Sequence, residues 1–188
     1  CKMVLSFGGS LGAKTINDAV AELIIHYANN PNFYFYHITG RSSYEEFIDL
    51  LKEANIDLTE LSNVVVQEYA NNMPELLHAA DLVLARSGAM TIAEINYVGI
   101  AAIYSPYPFA ANDHQMKNAI ASERSGASVT IPDDQLSGEL LIDTVRELFA
   151  DTEKLRNMAQ HSKSLAIRNA AELICAEAEK LLTPDAED

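Results

Sequence analysis

At 188 residues with a formal net charge of −14, the chain fits one domain able to bury a core without disulfides or metal. Its acidity excludes nucleic acid, whose binding draws on lysine and arginine neutralising phosphates, and disfavours direct docking on an anionic membrane. Cys1 and Cys175 stand near opposite ends without Cys-x-x-Cys spacing, no apolar run reaches the roughly 20 residues that span a bilayer, and no signal-peptide pattern opens the chain, so a soluble cytoplasmic protein without disulfide or zinc site is expected.

The first predicted strand, residues 2–7, runs into Gly8-Gly9-Ser10-Leu11-Gly12-Ala13 and a helix from Lys14. Five further strand patterns follow at 33–38, 64–69, 82–85, 101–104 and 128–131. Helical patterns after them begin near Ser43, Asn72, Ala89, His114 and Ser137, and Asn30-Pro31 supplies a stop before the second strand. This alternation predicts an α/β fold with a parallel sheet flanked by helices. Two more helical patterns, 152–161 and 169–182, precede a polar tail over 183–188 that is expected to fray. The opening directly into a buried strand points to an excised domain.

An anionic ligand in so acidic a chain must be held by backbone amides and helix ends. The loop Gly8 to Ala13 opens a helix from the end of a strand, the context of an anion site, and Arg86-Ser87-Gly88-Ala89 repeats that context. Two such turns can cradle one diphosphate; equally, each glycine can serve only its turn. Gly8-x-Ser10-x-Gly12 also matches the nucleophile elbow of serine hydrolases. A hydrolase would need an upstream oxyanion-loop strand and a late histidine, and the last one, His161, lies in a polar helical pattern that reads as surface.

Glu94 follows the second turn on its helix, where side chains tilt toward the N-terminus, so it is a candidate acceptor for ribose hydroxyls or a solvated glutamate. No acid stands at the end of the second strand, which runs into Thr39-Gly40-Arg41, where dinucleotide-binding folds carry one. Asp113, His114, Gln115 and Asn118 offer donors and acceptors for a polyhydroxylated ligand, with Asp113 equally readable as a helix N-cap. Adjacent Asp113 and His114 make a poor metal site, and no metal or cofactor is expected.

In order, Gly8-Gly9-Ser10-Leu11-Gly12-Ala13, Arg86-Ser87-Gly88-Ala89-Met90-Thr91-Ile92-Ala93-Glu94 and Asp113-His114-Gln115-Met116-Lys117-Asn118-Ala119 resemble the C-terminal domain of the MurG family of N-acetylglucosaminyltransferases, which convert lipid I to lipid II in peptidoglycan synthesis. The resemblance implies one half of a GT-B glycosyltransferase: a Rossmann-like donor-binding domain over 1–182, facing an N-terminal acceptor domain that this chain does not contain. It implies UDP-N-acetylglucosamine as donor, with Gly88 and Ala89 at the diphosphate and Glu94 on the ribose. Met90 and Thr91 would line the pocket, Gly9 and Ser10 would approach the phosphates, and backbone at Ala70 would read the uracil edge. His114 and Gln115 would touch the sugar hydroxyls, though many relatives carry glutamine at the first of these positions. The implied reaction is inverting and needs no metal, its base lies in the absent domain, and the full-length enzyme sits on the cytoplasmic face of the cell membrane.

Overall fold

The computed structural model describes residues 1–182. Six parallel strands, β1 (Lys2–Phe7), β2 (Phe33–Ile38), β3 (Val64–Gln67), β4 (Leu82–Ala85), β5 (Ala101–Tyr104) and β6 (Ser128–Thr130), form one sheet in the order β3-β2-β1-β4-β5-β6. Helices α1 (Lys14–Tyr27), α2 (Tyr44–Glu53), α3 (Met73–Ala79), α4 (Ala89–Val98), α5 (His114–Arg124) and α6 (Gly138–Ala150) follow the strands in turn. Helices α7 (Thr152–Ser164) and α8 (Ala170–Leu182) close the described chain. The expected fold is therefore present. The third and sixth strands stop short of the expected 69 and 131, and the polar tail at 183–188 lies outside the described residues.

The sheet is apolar on both faces, as a parallel sheet covered by crossover helices must be. On one face Val4, Phe35, Leu82, Leu84 and Ile103 meet Ile16, Leu23 and Ile24 of α1, Phe47 and Leu51 of α2, and Leu141 and Val145 of α6. On the other, Leu5, Phe7, Val83 and Tyr104 meet Leu76 and Leu77 of α3, Ile95 of α4 and Ala119 of α5. Each such fully buried Leu or Ile contributes about 1.5–3 kcal/mol. One polar pair interrupts the first core: Ser6 Oγ lies 2.8 Å from Nδ1 of the fully buried His37, beside the Phe47 ring. Burial, partly opposed by hydrogen bonding to the Ser6 backbone, pushes the His37 pKa down to about 3.

Local signals set the helix ends. Ser137 Oγ accepts from Leu140 N to start α6, Asp151 accepts from Lys154 N to start α7, and Gly99 closes α4 in the left-handed region at φ 83°. Helix α8 differs in kind: residues 170–180 are exposed all round.

Candidate functional site

Because every strand is parallel, the loops at the carboxyl ends of all six gather on one edge of the sheet. The strand order reverses between β1 and β4, which is where open α/β sheets bind ligands. A cleft of about 670 Å³ lies there. Residues 8–15 form one wall, Arg86, Gly88 and Thr91 the second, and Tyr107 to Phe109 with Gln115 and Asp133 the third.

The glycines of the two loops differ in purpose. Gly12 adopts φ +79°, and a Cβ there would collide with the Thr39 carbonyl and the Gly40 backbone. Gly40, at φ +83°, meets Gly12 in return, so the loops after β1 and β2 pack backbone against backbone. This contact stands where a dinucleotide-binding fold would place its acid. Gly9 (φ +93°) has open space beside it. Gly88 has an ordinary backbone (φ −64°, ψ 148°) and only Thr91 Oγ1, at 3.9 Å, near a Cβ. Neither strain nor packing within the chain therefore requires glycine at position 88.

Helix charges follow the same geography. α1 and α4 start at the cleft with no acid in the first turn and no side-chain cap, and the first turn of α5 likewise holds none. α2, α3, α6 and α7 each carry acid there: Glu45 and Glu46, Glu75, Glu139, and Glu153. In a chain of net charge −14, the helix starts at the cleft keep their amides and positive dipole ends available to an anion.

Arg86 supplies the cationic side chain beside the second loop. Its Nη1 donates to the carbonyls of Ser105 and Pro106, at 3.0 and 3.2 Å, and to Asp133. Asp133 also accepts from Thr15 Oγ1 at 3.1 Å, tying the loop after β6 to α1 and to the second glycine loop. Sequence reasoning named neither Asp133 nor Thr15, and their pairing across 118 residues leaves no local signal.

Of the expected site residues, Gly9, Ser10, Gly88, Thr91 and Gln115 line the cleft, while Ala70, Ala89, Met90, Glu94 and His114 stand outside its lining. Ala70 lies buried on the loop after β3, where its backbone N–H and C=O make no hydrogen bond among the described residues. Ala89, Met90 and Glu94 are exposed, the last two one turn apart on one face of α4. Glu94 is thus placed beyond the cleft proper, along the helix that opens onto it. Exposed His114 donates from Nδ1 to the Ala111 carbonyl at 2.7 Å. Gln115 Oε1 accepts from Tyr107 N at 3.0 Å, which leaves its amide N–H groups as donors.

The geometry corrects the N-cap alternative for Asp113 and bears out the surface reading of His161. Asp113 precedes α5 but adopts φ 57°, and its side chain makes no cap hydrogen bond. His161 sits on α7 beside Gly126, with Nδ1 3.4 Å from the Gly126 carbonyl. Gly126 precedes β6, at the opposite edge of the sheet from Ser10, so no nucleophile–histidine pair forms. Among the described residues no cluster of three or more His, Cys, Asp or Glu is placed to hold a metal ion, and no helix is long and apolar enough to cross a membrane.

The family model of the glycosyltransferase family 28 C-terminal domain matches residues 3–174. The chain belongs to this family. A transferase of Desulforamulus reducens named UDP-N-acetylglucosamine--N-acetylmuramyl-(pentapeptide) pyrophosphoryl-undecaprenol N-acetylglucosamine transferase is 42% identical over 179 residues, covering 95% of this chain and 48% of the relative. The transferase of the same name from Desulforudis audaxviator is 41% identical with the same coverage. The crystal structure of Acinetobacter baumannii MurG superposes with a TM-score of 0.80 at 26% identity, over 95% of this chain and 52% of that one. This family 28 chain spans about half the length of the curated relatives it matches.

Proposed function

We propose that this family 28 domain is the donor-binding half of an inverting transferase that moves N-acetylglucosamine from UDP-N-acetylglucosamine to lipid I, forming lipid II. One observation carries the reading: α1 and α4 converge on the cleft with acid-free, uncapped N-termini, beside a glycine at position 88 that nothing in the fold demands. That is space and charge reserved for a diphosphate. The named activity of relatives at about 40% identity supplies the sugar and the acceptor.

In this reading the diphosphate lies against Gly9, Ser10, Gly88 and Ala89, with Thr91 and Met90 beside it. Uracil meets the free backbone groups of Ala70, and Glu94 accepts from the ribose hydroxyls. Gln115 donates to the sugar, joined by Nε2 of His114. As the acceptor hydroxyl attacks the anomeric carbon, negative charge grows on the departing UDP, and fixed amides, helix dipoles and Arg86 stabilise it where it develops. The acceptor site and the base belong to the remainder of a full-length protein peripheral on the cytoplasmic face of the membrane. This acidic half makes no membrane contact of its own.

Calorimetric titration tests the reading. UDP and UDP-N-acetylglucosamine are expected to bind, and ADP and GDP to bind more weakly because a purine does not fit the clamp at Ala70. Equal affinity for ADP and UDP would remove the uracil assignment.

A further inference from the structure

We propose that Phe109, braced by Tyr107 on the loop between β5 and α5, is the stacking platform for the sugar ring of the donor. The inference rests on the donor reading above and adds what grips the hexose beyond its hydroxyls. Phe109 is 82% exposed and lines the cleft. A lone exposed apolar residue means little, but this ring is built into place. Tyr107 meets it edge to face with centroids 5.7 Å apart, and the Arg86 guanidinium lies over the Tyr107 ring at 5.7 Å.

The loop beneath the pair is held at Pro106, Tyr107 and Ala110. Pro106 and Pro108 have restricted φ, and the Pro106 carbonyl accepts from Arg86. Tyr107 N donates to Gln115 Oε1, and Ala110 N donates to the Tyr107 carbonyl at 3.3 Å. The loop thus presents an uncovered aromatic face, edged by Tyr107, to a cleft whose other walls are residues 8–15, Arg86, Gly88, Thr91, Gln115 and Asp133.

A hexopyranose is the ligand that suits this mixture. Its hydroxyl edge needs donors, which the Gln115 amide offers, and its C–H face needs an apolar surface whose electron-rich π cloud attracts polarised C–H groups. A purely apolar partner would leave the Gln115 amide N–H groups desolvated without an acceptor.

The chain contains no tryptophan, so Phe109→Trp installs a single reporter at the platform. Its emission should change on adding UDP-N-acetylglucosamine and stay unchanged with UDP. Phe109→Ala should weaken UDP-N-acetylglucosamine binding about three- to tenfold with UDP affinity untouched, and Phe109→Tyr should restore most of the difference. An unaltered UDP-N-acetylglucosamine affinity in Phe109→Ala overturns the platform, as does an equal loss for UDP, which would set the ring against the nucleotide. If the wild-type chain binds neither ligand, the donor reading itself fails and takes this inference with it.

Discussion

Arg86 and Asp133 pair inside the cleft although 47 residues separate them, with side chains only 12% and 17% exposed. Removing one partner of a largely buried pair leaves the other charge without its counterion. Asp133→Ala should therefore destabilise the chain by about 1–3 kcal/mol, part of the full buried-pair effect being lost to solvent screening. Urea denaturation checks this, and pairing the change with Arg86→Met should recover most of the loss. A midpoint for Asp133→Ala equal to wild type would show that the pair contributes nothing.

The two glycine loops make opposite predictions. Gly12→Ala forces a Cβ onto the Thr39 carbonyl at positive φ and should lower stability by about 2 kcal/mol or more. Gly88→Ala meets neither problem and should unfold within about 1 kcal/mol of wild type, while UDP affinity drops at least roughly tenfold as the methyl enters the phosphate space. Denaturation and calorimetry on both variants separate the roles, and undiminished UDP binding by Gly88→Ala would refute the reserved space.

Glu94→Ala should weaken UDP binding by about 1–3 kcal/mol, the usual effect of removing a charged hydrogen-bond acceptor. Stability should hardly change, since Glu94 is exposed on α4 and alanine favours helix. Wild-type UDP affinity in this variant would leave Glu94 a solvated glutamate.

His37 makes stability depend on pH. Its folded pKa, about 3, lies below the ordinary 6.5, so the unfolded chain takes the proton first on acidification. The contribution is complete above about pH 6.5 and is lost as pH falls toward 3, at up to about 1.4 kcal/mol per unit. His37→Leu should flatten that segment of the stability–pH curve relative to wild type. Parallel curves for the two proteins between pH 6.5 and 4 would contradict the assignment.

Much of this architecture is legible in local residues. The predicted bounds of β1, β2, β4 and β5 match their strands residue for residue, because strands buried on both faces leave mostly apolar words. Val64 to Gln67 ends earlier than its pattern, since Glu68 and Tyr69 already turn onto the exposed loop edge. The glycine loops, both lining the cleft, were readable as strand-to-helix turns. Which glycine serves the fold was not, because the Gly12–Gly40 contact joins distant loops. The acid-free first turns of α1 and α4 are written in the chain but gain meaning only once the sheet sets those helices side by side. Asp133 lay beyond sequence reasoning for the same reason, and the left-handed backbone of Asn112 and Asp113 defeated the N-cap reading.

The strand order has a mechanical corollary. β1, β2 and β3 form one half of the sheet and β4, β5 and β6 the other, and among the described strands the halves share one ladder, Val4–Phe7 against Leu82–Ala85. The cleft sits over that seam, with Gly9 on one side and Gly88 on the other. A diphosphate bridging both loops would act as a clasp across the joint, resisting separation of the halves as well as adding the ordinary mass-action stabilisation of a bound ligand. Protection from proteolysis should then be most pronounced at the β1–β4 ladder, and the empty domain should come apart there more readily than the loaded one.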